Sequence, residues 1–157
     1  MTELHLVWTA AGKVARGFEP AEAAWRDEVF SHGPLFPGLV TEWKTIFLTS
    51  SCIYDQSQFT LTDLRLFVDA DEGTLATIRA LAETIHGIQV SFDDGATYIC
   101  LTDKPALVGP GAFVSNPGRT ELRPFDTAKF KFRISIPDNF TFTGKLSYRI
   151  GADFDAL

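Results

Sequence analysis

Residues 129–136 read Lys-Phe-Lys-Phe-Arg-Ile-Ser-Ile, and residues 145–150 read Lys-Leu-Ser-Tyr-Arg-Ile. Successive side chains of an extended chain point to opposite faces, so Phe130, Phe132, Ile134 and Ile136 share one face and Lys129, Lys131, Arg133 and Ser135 the other. In the second run Leu146, Tyr148 and Ile150 oppose Lys145, Ser147 and Arg149. One apolar and one polar face marks strands of an antiparallel sheet, because parallel strands are covered on both sides and lose the alternation. Pro137-Asp138-Asn139 turns the chain after the first strand, and Gly144 precedes the closing strand, read as Lys145 to Phe154.

Working back from this pair, Thr41 to Ser50 and Thr60 to Ala70 read as two further strands, rich in aromatic and β-branched residues, with polar Ser51 to Gln58 as a loop between them. In the second of these, Leu64, Leu66 and Val68 oppose Asp63 and Arg65. After a turn at 69–73 the period changes. Leu75, Ile78, Ala82 and Ile85 lie on one helical stripe, which predicts a short helix over 74–85 with Thr74 capping its start and Gly87 its end. Ile88 to Phe92 and Thr97 to Leu101 then alternate about Asp94-Gly95, a strong hairpin signal because the tight turn needs positive φ. Residues 102–126, broken by Pro105, Pro110, Pro117 and Pro124, read as a long loop or as loops around a short strand at Ala112-Phe113-Val114. Six or seven strands, one inserted helix and no βαβ rhythm give a mainly β chain, an antiparallel β-sandwich.

The first residues differ. Leu4 to Trp8 is a short apolar run, and Glu19 to Phe30 reads as one short helix, with Pro20 in its first turn and Glu22 near the positive end of the dipole. Gly33 to Gly38 then breaks regular structure. The expectation is an N-terminal arm over 1–38 and a sandwich domain over 39–157. Leu6, Trp8, Trp25, Phe30 and Phe36 are the arm's candidate interaction residues, because large apolar groups on a docking segment need a surface to cover them.

The chain has 157 residues, one domain or one domain plus an arm, and a globular chain of that size buries about 70% of its unfolded surface without staples. Fourteen Phe, three Trp and three Tyr against one Met favour pleated, half-buried surfaces. A net charge of −6 opposes a phosphate backbone and an anionic bilayer, so neither nucleic acid nor membrane is expected as a partner. The N-terminus shows no basic region followed by a long apolar core, so no Sec signal is expected. Cys52 and Cys100 read as two small buried thiols, in a chain made in a cytoplasm.

Chemistry-bearing motifs are sparse. His5, His32 and His86 have no paired spacing, and no nucleophile elbow, phosphate loop or dinucleotide fingerprint occurs. The carboxylates Asp69/Asp71/Glu72, Asp93/Asp94 and Asp153/Asp155 do not follow the EF-hand pattern and read as solvated turns. No cofactor, metal or catalytic residue is nominated. Ser91-Phe92-Asp93-Asp94-Gly95-Ala96-Thr97-Tyr98 resembles the Asp-box hairpin of sialidase-like propellers, with Tyr98 in place of the tryptophan; one copy makes a hairpin, not a propeller. Trp8, Trp25 and Trp43 are either core or a sugar-stacking platform.

Three segments carry a wider likeness. Trp43 to Ser51, Thr62 to Val68, and the closing pair Phe130 to Pro137 with Gly144 to Ile150 together resemble the immunoglobulin-like β-sandwich modules of tailed-bacteriophage structural proteins. Thr49-Ser50-Ser51 departs from the Asn-containing turn of such modules, and the helix is not an obligatory part of them. The resemblance implies a non-enzymatic virion component of a tail, baseplate or neck, located in the virion, bound to other virion proteins and repeated as a homo-oligomer. The alternative is a carbohydrate-binding sandwich that reads a host-surface glycan, its groove rimmed by 102–126. A hydrolase would require converging carboxylates or histidines in a cleft.

Overall fold

The structure is a computed structural model that describes residues 4–10, 13–14, 23–24, 30–32, 34–52, 61–115, 117–123, 126–140 and 144–156. Among these the elements run β1 (Leu4–Ala10), β2 (Lys13–Val14), β3 (Ala23–Ala24), β4 (Phe30–His32), β5 (Lys44–Cys52), β6 (Leu61–Asp69), α1 (Glu72–Glu83), β7 (Gly87–Ser91), β8 (Ile99–Leu101), β9 (Ala106–Leu107), a 3-10 turn (Pro110–Ala112), β10 (Thr127–Ser135) and β11 (Leu146–Ala156). They form two antiparallel sheets. One has six strands in the order β2-β1-β5-β10-β7-β8; the other has the order β3-β11-β6-β9, with β4 also on β11.

The alternation at 129–136 sets the first sheet. Phe130, Phe132 and Ile134 of β10 are buried with Ile46 and Leu48 of β5, Ile88 and Val90 of β7 and Leu101 of β8. Leu64, Leu66 and Val68 of β6, with Leu146, Tyr148, Ile150 and Ala152 of β11, complete one shared apolar core from the second sheet. Burial of this kind stabilises by roughly 25 cal/mol per Å² of apolar surface, so inward Phe and Ile outweigh any single polar contact. The described residues are thus mainly β and sandwich-like, with one α-helix among them.

Irregularities in the sheets have local causes. Arg65 pairs with Asp153 and Thr62 with Asp155, so β6 carries one extra residue there. Asp63, at φ 52°, sits inside this bulge. Aspartate tolerates the left-handed region better than most residues. The stretch 39–41 runs on beside β10: the Ile134 amide donates to Thr41 Oγ1 at 2.9 Å, and the Ile136 amide donates to the Leu39 carbonyl at 2.7 Å. That pairing carries the next residues, Glu42 and Trp43, alongside the end of β10.

Several expectations are corrected. Of the helix expected over 19–30, the described residues Ala23–Ala24 and Phe30 lie in strands on β11. Helix propensity is a weak prior, and partners along an eleven-residue strand outweigh it. The apolar run at 4–8 is strand β1, paired with β5 over seven residues. β5 continues through Ser51 and Cys52, where a loop was expected. In the Pro-rich stretch the strand is Ala106–Leu107, paired with Leu66 and Arg65, and Pro110–Ala112 is a 3-10 turn, not the start of a strand. Pro at the first position fixes a helical φ. Ser135, expected on the wet face, is buried, its Oγ 2.9 Å from His86 Nδ1.

The helix begins earlier than its apolar stripe. Asp71 is the N-cap, its carboxylate accepting the Thr74 amide at 2.8 Å, because a carboxylate caps better than a threonine hydroxyl. Ile78 and Leu81 are the buried residues, and Ile85, expected inward, is 64% exposed. Ile85 closes the helix: its amide donates to Ala82 and that of His86 to Leu81, a Schellman pattern, with Ile85 at φ 64°. Gly87, expected in that role, also has positive φ but opens β7.

Candidate functional site

Strands β5, β10, β7 and β8 turn a common outer face away from the core. Register places Lys131 opposite Thr45 and Ser91, and Arg133 opposite Gln89. Gln89 and Ser91 belong to this outer face, yet are only 2% and 1% exposed. Something covers them, and the cover is the candidate site.

The hairpin between β7 and β8 covers Ser91. Asp94 and Gly95 hold φ of 59° and 92°, and the Ala96 amide returns to the Asp93 carbonyl, a type I′ turn. Ser91 Oγ donates to Asp93 Oδ1 at 2.8 Å and accepts the Gly95 amide at 2.8 Å. Asp93 also accepts from the Thr97 amide and the Thr97 hydroxyl, at 2.8 and 2.6 Å. These bonds, those of Thr97 first, hold the Asp93 carboxyl below the usual carboxylate range. The Asp-box resemblance is therefore realised as hydrogen bonding, and Asp93 is committed to the turn.

Arg133 covers Gln89. Its guanidinium carbon lies 4.2 Å from the ring centroid of Trp43 and 5.3 Å from that of Tyr98. The two rings are 6.4 Å apart and tilted by 54°. Gln89 Oε1 accepts from Arg133 Nε at 2.8 Å, while Gln89 Nε2 donates to the Ile85 carbonyl at 2.9 Å. The hairpin buttresses the cluster: a Cβ added at Gly95 would stand 3.1 Å from Trp43 Nε1. A groove of about 350 Å³ opens beside the cluster, lined by Thr41, Glu42, Trp43, Lys44, Phe132 and Arg133. Lys129 and Lys131 continue the basic row along β10, and both approach Asp94, at 3.3 and 3.7 Å.

The other candidates take structural roles. Glu72 and Asp103 both pair with Arg79, at 2.8 and 2.6 Å; the Asp103 bond, and then that of Glu72, raise the guanidinium's pKa. Cys100 is a free, half-buried thiol, so the expected full burial is corrected, and desolvation pushes its pKa up. Among the described residues no group of three His, Cys, Asp or Glu stands together to hold a metal. No helix there is long and apolar enough to cross a membrane.

Of the five candidate interaction residues, Leu6 and Trp8 lie in β1, in register with Ser50 and Leu48, and Phe30 lies in β4 opposite Tyr148. Phe36 is 53% exposed, and Trp25 lies outside the described residues. Sequence reading raised Trp43 as a platform but not Arg133, Tyr98 or Gln89 beside it. The available signal was an arginine on the wet face of β10 with a tryptophan just before its neighbouring strand. Comparison of the chain with protein-family models, with curated proteins and with solved structures finds no match.

Proposed function

We propose that this chain is a non-enzymatic structural module that works by being bound by other proteins, in the manner of an immunoglobulin-like sandwich of a phage tail, baseplate or neck. The observation that carries the reading is the Trp43–Arg133–Tyr98 cluster. Tryptophan, tyrosine and arginine are the residue types enriched where protein interfaces concentrate their binding energy. The ends of the sheets support it. Among the described residues β8 and β9 are edge strands, and they present Ile99 and Leu107, 39% and 61% exposed, beside backbone groups that no described strand pairs.

The N-terminal residues keep their assigned part as an assembly arm. Their described strands add to both sheets, on β5 and on β11, and the same registers are available to a neighbouring copy's segment. Glycan binding is less favoured, because Arg133 and the Gly95 backbone already occupy indole area that a stacked sugar ring needs. Light scattering on the purified chain tests the reading: a discrete multiple of the 17.3 kDa chain is expected. Deletion of residues 1–38 is expected to abolish that multiple. A monomer whose tryptophan fluorescence titrates with a host-surface glycan overturns the proposal.

A further inference from the structure

Arg133 is held in a manner that leaves its outer nitrogens for a ligand. A surface arginine ordinarily samples many rotamers and loses about 2 kcal/mol of freedom when fixed. Here three contacts have already fixed it: the Trp43 face, the Tyr98 ring and the bond from Nε to Gln89 Oε1. Gln89 is itself buried and oriented, because its Nε2 donates to the Ile85 carbonyl. That carbonyl is aimed by a β-branched residue at φ 64°, a genuine outlier for isoleucine. Backbone strain that survives in a fold is concentrated where geometry matters to function. A glycine at 85 would close the helix without strain, and the chain instead carries the costlier residue in the segment that sets the Gln89 amide.

Among the described residues nothing bonds the two terminal guanidinium nitrogens of Arg133. The planar pair of N–H donors matches a carboxylate in a two-point contact. Lys44 lines the same groove and Lys131 stands two residues along β10, so positive charge lies near Arg133, with Glu42 on the groove wall offsetting part of it. The groove of about 350 Å³ has room for one or two side chains beside Trp43. We infer that Arg133 is a preorganised carboxylate receptor, and that the groove beside it takes an acidic segment of a protein partner. This rests on the reading of the chain as a protein-binding module. It adds the chemistry of the partner: a segment bearing Glu or Asp, its carboxylate on Arg133 and its apolar atoms over the ring edges.

The test uses the full chain, ¹⁵N-labelled, titrated with blocked tetraglutamate, blocked tetraglutamine, inorganic phosphate and free sialic acid. The readouts are the Arg133 Nε–H and Trp43 indole N–H signals. Tetraglutamate is expected to shift both saturably, with tetraglutamine silent, and the affinity to fall as salt is raised. Arg133→Gln is expected to weaken binding at least about tenfold, the scale of a charge-assisted pair, and Arg133→Lys by a similar factor, because it keeps the charge but loses the fork. Lys131→Gln, whose ammonium already faces Asp94, is expected to weaken it less than about threefold. Arg133→Lys also guards against misfolding, since it retains the cation over the rings. Equal binding by Arg133→Lys, a stronger response to phosphate or sialic acid than to tetraglutamate, or no response at all overturns the inference. An oligomer that ignores tetraglutamate refutes the receptor alone; a monomer that binds it refutes the assembly reading alone.

Discussion

Replacing Gly151 by alanine is expected to destabilise the protein by about 1–3 kcal/mol, through one collision. Gly151 is a buried residue of β11 and lies opposite Phe67 of β6. A Cβ built on it would stand 2.4 Å from Phe67 Cζ, and 2.7 and 2.9 Å from the two Cε atoms. Carbon atoms rest about 3.5–4.0 Å apart, so the ring has to retreat by about 1 Å or leave its place. The backbone is no obstacle, since Gly151 is not among the glycines at positive φ. Without the ring, alanine is the better strand residue by roughly 0.5–1 kcal/mol, because glycine loses more freedom on folding. The sign of the substitution therefore depends on Phe67. In a Phe67→Ala background, Gly151→Ala is expected to stabilise, and the four proteins of the cycle should show a coupling of about 1.5–4 kcal/mol by urea denaturation. Equal loss in both backgrounds would falsify the claim that the ring, and not the sheet, excludes a side chain at 151.

At position 85, glycine is expected to be more stable than alanine by about 1 kcal/mol, the reverse of their order inside a helix, because the residue sits at φ 64°. Thermal unfolding of Ile85→Gly and Ile85→Ala isolates the backbone term, since both lose the same side chain; alanine equal or better refutes the strained cap. Asp71, Asp93 and Asp103 all have carboxyls held below the usual carboxylate range, Asp71 by the Thr74 amide, Asp93 by Thr97 and Asp103 by Arg79. A lowered folded pKa gives stability that is fully present above the unfolded value and is lost as pH falls through the folded one. The urea midpoint should fall between about pH 5 and pH 2, and the gap between wild type and Asp93→Asn should close over the same window; a constant gap refutes the turn's dependence on an ionised Asp93. Desolvation raises the Cys100 thiol above the ordinary thiol range, so in a Cys52→Ser background its alkylation should be slower at pH 8 than that of a free cysteine and accelerate only at a pH above that at which a free thiol ionises. The same shift favours the neutral thiol in the fold, so any stability it confers is lost above that pH; rapid modification at pH 7 contradicts the burial.

Much of the sandwich was legible because its strands have one wet face. The inward series Phe130, Phe132, Ile134 and Leu146, Tyr148, Ile150 is the series that the structure buries. Local chemistry also fixed the hairpin, since Asp94-Gly95 satisfies the positive φ of both central positions. What periodicity could not supply was the pairing of distant segments. Ala23–Ala24 and Phe30–His32 meet β11 more than a hundred residues later in the chain, and no local pattern encodes that meeting. The helix ends were misplaced for a related reason. Asp71 looked like a turn residue and Gly87 like a cap, whereas hydrogen bonding assigns the cap to Asp71 and the left-handed turn to Ile85.

The candidate site was legible only as parts. Alternation put Arg133 on the outer face, which is correct, and gave it no role there. The decisive fact lies one strand away: Gln89 and Ser91 share that outer face and are almost fully covered. A buried glutamine amide left without partners costs free energy, so the cover has to supply hydrogen bonds as well as bulk. The Asp-box turn does this for Ser91, through the Gly95 amide and the Asp93 carboxylate. Arg133 does it for Gln89 on one side and the Ile85 carbonyl on the other. An aliphatic residue at 89 beneath a plain serine or threonine at 133 would have closed this face more simply. The chain instead places a buried amide, a strained cap and two aromatic rings around a single guanidinium. The physical consequence is a cation whose direction is set before any partner arrives, and an interaction surface gains most from the side chains that it does not have to order on binding.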